Sequence, residues 1–214
     1  MGNASKKILI INGSIRGNSG NSWALAQKAA AYLQQEHGVV VSSLTLTDPI
    51  PDIKDVYELL KSCDGFLIVT GVYWNSWGSP LQFFLEVCTA FENTPAFFGK
   101  PVACAVSMDS VGGTDVANAL HGALAGLGCW SAPCSTLVLS RVGLEAIESS
   151  AGKENDPNDD VWRMDDLKIV LKNLVAASSV DRKQWASWPH VALKIPDGPW
   201  PSGGELDMGT PTFL

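Results

Sequence analysis

Five short apolar runs separated by helical segments predict a three-layer α/β fold, with a five-stranded parallel sheet in the order 2-1-3-4-5. The first, Lys7 to Asn12, is continuous rather than alternating, as in a strand buried on both faces, and the third reads as buried too. Right-handed crossovers leave few topologies for such a chain, and 2-1-3-4-5 is the simplest. Ligands in these sheets sit beyond the carboxyl ends of the strands.

The elements follow in order. Lys7-Ile-Leu-Ile-Ile-Asn12 is the first strand. Residues 22 to 36 form a helix, with Trp23, Leu25, Ala26, Ala29, Ala30 and Leu33 at helical spacing and Gly38 as its stop. Val39 to Leu46 is β-branched and makes the second strand. A short helix over 55 to 62 follows the turn Asp48-Pro-Ile-Pro-Asp52. Gly65 to Gly71 is the third strand, 80 to 92 a helix, and Val102 to Ser107 the fourth strand. Residues 114 to 127 form the next helix, Pro133 to Leu139 the fifth strand, and 160 to 178 a last amphipathic helix.

The 214 residues suffice for one sizeable domain, placed at residues 1–180, with a Trp-, Pro- and Gly-rich extension over 181–214. Hydrophobic residues at 46% and charged residues at 17% exclude intrinsic disorder. The formal charge of −7 excludes general phosphate-backbone binding, so no nucleic-acid partner is expected. Residues 141 to 166 carry eight acids against three bases, a net of −5, with Asp156, Asp159 and Asp160 favouring the helix dipole at the start of the last helix. No apolar run approaches the ~18 residues of a membrane span. Five cysteines without Cys-x-x-Cys spacing, four in or beside apolar segments, point to a reducing cytoplasmic compartment and no metal site.

Three loops at the expected ligand edge carry chemistry. The first, Asn12-Gly-Ser-Ile-Arg-Gly-Asn-Ser-Gly-Asn-Ser22, runs from strand to helix. Its glycines allow close backbone approach, and its hydroxyls, amides and free helical N–H groups suit an anion. Arg16 adds a guanidinium fork matched to phosphate oxygens. The loop is neither a P-loop nor a dinucleotide Gly-x-Gly-x-x-Gly. A plain helix start with Asn21 or Ser22 as N-cap is the alternative. The second loop, Gly71-Val-Tyr-Trp-Asn-Ser-Trp-Gly-Ser-Pro80, brings three aromatics to the same edge, with Ser79 as N-cap and Pro80 in the next helix's first turn. Trp74 and Trp77 either flank a flat ligand or pack on neighbouring loops or a partner subunit. The third, Ser107-Met-Asp-Ser-Val-Gly-Gly113, carries paired glycines that suit close approach or a tight turn. One ligand accounts for all three loops: a flat heterocycle with a phosphate tail, for which flavin mononucleotide (FMN) fits.

At these residues the chain resembles the NAD(P)H-dependent FMN reductases, which include quinone and azo-dye reductases. The resemblance rests on Gly13-Ser-Ile-Arg16 with its Ser/Asn-rich continuation, on Tyr73, Ser76 and Leu81, and on Ser107-Met108, Gly112-Gly113 and Leu120. It covers roughly residues 7 to 140. Gly71, Gln82 and His121 stand where the family usually has Pro, Lys and Arg, and Gly20 reads as an insertion. The resemblance implies a flavodoxin-like fold and an FMN-dependent NAD(P)H oxidoreductase. It assigns Ser14, Arg16, Ser19, Asn21 and Ser22 to the FMN phosphate and Tyr73, Trp74, Asn75 and Ser76 to the isoalloxazine. Ser107, Gly112 and Gly113 close the other side. It also implies a homodimer or homotetramer with the flavin near the subunit interface.

The flavin carries such chemistry, so no catalytic acid or base is expected. His37, His121 and His190 read as structural or solvated, and no Gly-x-Ser-x-Gly elbow is present. Small-molecule acceptors such as quinones, azo or nitro compounds or free flavin fit a reductase. A flavodoxin-like electron carrier and a flavin-free scaffold are the alternatives. Arg16 in the phosphate loop and the locally concentrated charge favour the enzyme.

Overall fold

A computed structural model describes residues 5–150, 164–182, 185–188 and 195–201. Five parallel strands are ordered β2-β1-β3-β4-β5: β1 Lys7–Asn12, β2 Val40–Thr45, β3 Gly65–Gly71, β4 Pro101–Met108 and β5 Trp130–Ser140. The helices are α1 Asn21–His37, α2 Ile53–Ser62, α3 Ser79–Cys88, α4 Gly113–Gly126, α5 Arg141–Ser150 and α6 Met164–Ala177. A 3-10 turn, Thr89–Phe91, ends the segment expected as one helix to residue 92. The class, strand count and order match the sequence expectation.

The pleat divides the core. Leu9, Ile11, Phe66, Ile68, Val102 and Cys104 point to one face, against α2, α3 and α4. Ile8, Ile10, Leu67, Val69, Ala103 and Ala105 point to the other, against α1 and α6. Every residue of β3 is buried, as a central strand covered on both faces requires. Gly38 ends α1 in the left-handed region (φ 59°), its N–H bonded to the Leu33 carbonyl.

Four details depart from the sequence reading. The N-cap of α1 is Gly20, so Asn21 and Ser22 lie inside the helix rather than capping it. Gly78, not Ser79, precedes α3, with Pro80 in its first turn as expected. Strand β5 begins at Trp130, three residues before Pro133. Its pairing with β4 jumps from Ser131 opposite Val102 to Thr136 opposite Cys104, and this irregularity accommodates Pro133 and a left-handed Cys134 (φ 54°). Helix α5 falls where no element is expected. Residues 160–163 of the expected last helix, together with Asp156, Asp159, Asp160 and His190, lie outside the described residues.

All five cysteines are free, and only Cys134 is exposed. Among the described residues no group of His, Cys, Asp or Glu is placed to hold a metal, and no helix is long and apolar enough to cross a membrane. Part of the C-terminal segment docks on the sheet's α2–α3 face: Trp200 stacks on Phe84 (5.6 Å, 17°), and the Gly198 carbonyl accepts the Ile53 N–H.

Candidate functional site

Parallel strands end together, so the segments after β1, β3, β4 and β5 converge on one edge. They enclose a cavity of about 400 Å³, within the ~300–1,000 Å³ of small-ligand sites. Ser14, Arg16, Asn21 and Ser22 line it from the β1–α1 segment, Tyr73 from the segment after β3, and Ser107 from the end of β4. Six of the twelve sequence-assigned residues therefore share one cavity.

Asn12 shapes the first loop from inside. Its carboxamide donates to the Gly17 carbonyl at 2.8 Å and accepts the Ser14 N–H at 3.2 Å. The Ser14 hydroxyl lies 3.0 Å from the Tyr73 phenol, joining the first loop to the second. Buried Ser22 lies 3.0 Å from buried Ser107, which places the start of α1 over the end of β4. Gly20 offers α1 no side-chain cap, and no acid occupies the first turn. The start of a 17-residue helix thus borders a polar cavity, and among the described residues no side chain accepts its opening N–H groups. The Arg16 guanidinium has no ion pair or hydrogen bond among the described residues. Ser19 does not line the cavity; its hydroxyl donates to the Arg16 carbonyl at 2.9 Å and tightens the turn.

The second loop is a two-residue reversal. Tyr73 and Ser76 exchange backbone bonds at 2.7 and 2.9 Å, leaving Trp74 (φ 51°) and Asn75 (φ 59°) both left-handed. That turn type prefers Asn-Gly, so a tryptophan there is strained by roughly 1–2 kcal/mol. Trp74 is also fully exposed (101%), so no packing offsets the strain. Strain at a cavity rim suits a binding segment. Trp77 behaves otherwise: it packs on the core, and its indole N–H donates to Gln82 at 3.0 Å.

Two glycines bring the loops together. A Cβ on Gly78 would stand 2.5 Å from the Gly13 carbonyl oxygen, and one on Gly112 would stand 2.5 Å from the Asn75 side chain. Gly113 lies deeper, against Val138 and Met108, whose sulfur accepts its N–H at 3.1 Å. Between the second and third loops a further cavity of about 440 Å³ is lined by Trp74, Asn75 and Val111 and shares Val72 and Asp109 with the first. A polar, cationic end thus continues into a cleft bordered by an indole.

The sequence reading missed two charged residues of the main cavity, Asp109 and Arg141. Asp109 lies within the third loop but offered no motif. Arg141 follows β5, whose end lies outside the three motif-bearing loops. Its available signal was a cation directly after a strand.

The family model described as NADPH-dependent FMN reductase matches residues 6–143. No curated protein matches the chain significantly. Among solved structures, RosB with bound 8-demethyl-8-formylriboflavin-5'-phosphate superposes with a TM-score of 0.65 at 14% identity, over 81% of this chain and 79% of that one. An NADH:FMN oxidoreductase, EMOB in its apo form, gives 0.57 at 17% identity, over 86% and 92%. A flavodoxin from the domain Archaea gives 0.54 at 13%, over 81% and 99%. At such identities the likeness is one of fold, and the fold is flavodoxin-like.

Proposed function

The chain belongs to the NADPH-dependent FMN reductase family, and from that premise we propose that it binds FMN across the carboxyl edge of the sheet. On this reading it takes electrons from NADPH or NADH and passes them to a quinone, an azo or nitro compound, or free flavin. The observation that carries the reading is the start of α1 beside Arg16, both without side-chain partners among the described residues, in a cavity that continues to Trp74. This donor set fits a phosphate monoester, and the cleft beyond it suits a planar ring.

Ser14, Arg16, Asn21 and Ser22 would hold the phosphate, with Ser19 fixing the turn that presents Arg16. Tyr73, Trp74, Asn75 and Ser76 would border the ring, with Ser107, Gly112 and Gly113 opposite. Bound there, the flavin supplies the two-electron chemistry that no side chain of the cavity can perform. The protein's task is placement. Asn12 holds the first loop closed, the Ser14–Tyr73 contact sets the distance between phosphate end and ring end, and the apolar body of Trp74 sheds water from the cleft. Residues 1–180 form the binding domain in this reading, with 181–214 as an extension partly packed on its surface.

Anaerobic mixing of the FMN-loaded protein with NADPH or NADH tests the proposal. A reductase loses its flavin absorbance within turnover time and recovers it when a quinone is added. Flavin that binds but is bleached by neither nucleotide identifies an electron carrier. Failure to bind flavin refutes the site.

A further inference from the structure

Arg141 violates a local preference and does so at the cavity wall. It is the first residue of α5, where the positive end of the helix dipole disfavours a cation, and no acid stands in that first turn to offset it. Glu145, one turn on, accepts its Nε–H at 2.8 Å, and the terminal nitrogens of the fork have no hydrogen bond among the described residues. The backbone on both sides is fixed. The Ser140 hydroxyl and the Val142 N–H both donate to the Asp109 carbonyl, at 3.2 and 3.3 Å, and Ser140 also accepts the Gly143 N–H at 3.1 Å. The residue is thus stapled to the third loop and exposed to the cavity. Local rules broken without a packing gain concentrate at functional positions.

Sheet pairing shows which part of the cavity it faces. Ser107 pairs with Leu139 and Met108 with Ser140, so Arg141 stands one residue beyond the end of β4. The Ser22–Ser107 contact sets the N-terminus of α1 over that same strand end. Arg141 and Arg16 therefore belong to different segments that line one cavity around the α1 terminus.

We propose that Arg141 is a second phosphate-binding arginine, which closes on the terminal phosphate of the flavin together with Arg16. The inference rests on the flavin reading above. Two guanidiniums and a helix N-terminus offer a dianion more positive charge than Arg16 and the helix start alone, and the second guanidinium also offsets the Asp109 carboxylate that lines the same cavity. Glu145 keeps the arm folded until the phosphate competes for it.

FMN and riboflavin differ only in that phosphate, so the test compares them. Wild type, Arg141→Ala and Arg141→Lys are titrated with each flavin, following quenching of flavin fluorescence, and each is checked for folding by circular dichroism. Arg141→Ala is expected to weaken FMN about tenfold while riboflavin affinity stays within about twofold, and Arg141→Lys to recover part of the loss. Equal losses for both flavins, or an unchanged FMN affinity, overturn the proposal while leaving the flavin site intact. Wild-type protein that binds neither flavin refutes the flavin reading itself, and this inference with it.

Discussion

The two edges of the sheet are built from similar residue types and treat them in opposite ways. At the amino edge a cluster of charges closes on partners. Asp64 accepts the Lys7 N–H at 2.9 Å and the Arg182 guanidinium at 3.2 Å, with Lys6 at 3.7 Å. Buried Lys100 donates to the Leu60 and Lys61 carbonyls at 2.6 and 3.0 Å and so caps the end of α2. At the carboxyl edge the Arg16 guanidinium has no partner among the described residues, α1 has no side-chain cap from Gly20, and Trp74 stands strained and bare. One edge holds the fold together. The other leaves a guanidinium and a helix start for something else.

The contrast can be broken from either side. Ser14→Ala/Arg16→Ala should weaken FMN about 100-fold, the loss of a charged and a neutral contact, and cost the flavin-free fold no more than about 1 kcal/mol. Flavin titration and urea unfolding measure the two effects. Asp64→Ala should reverse the pattern, lowering stability by about 2 kcal/mol with FMN affinity unchanged. A smaller effect of opposite sign is expected at Trp74. Trp74→Gly relieves the left-handed strain and should stabilise the flavin-free protein by about 1 kcal/mol while weakening the flavin.

The smallest effect is in pH. Burial holds the Lys100 ammonium down at about 8, against an ordinary 10.5. Between those values the unfolded chain binds the additional proton, so stability rises with pH. Burial pushes the thiols of Cys63, Cys88, Cys104 and Cys129 above the ordinary 9.0, and their contribution is lost as the unfolded chain ionises above that value. Denaturation midpoints should therefore rise gently from about pH 8 to 9 and then fall. Lys100→Met should remove the rising limb and leave the falling one.

The strands were legible because burial on both faces leaves a run such as Gly65–Gly71 almost wholly apolar, with Thr70 as its polar residue. Most cavity residues were legible too, since Ser14, Arg16 and Tyr73 sit on loops that strand ends must bring together. The start of α1 was not. Asn21 and Ser22 are favoured caps, yet Gly20 with φ 86° takes the role and leaves both residues in the helix's first turn, lining the cavity. Arg141 acquires meaning only from the pairing of β5 with β4, a contact between segments distant in sequence. Trp200 is the same case: its place against Phe84 has no local signature.

Amide hydrogen exchange with and without FMN tests the division of the molecule most directly. Protection should rise over residues 13–22, 71–78 and 107–113, and the amides of Lys7, Asp64 and Lys100 should exchange as before. Protection that appears at the amino edge, or nowhere, would contradict it.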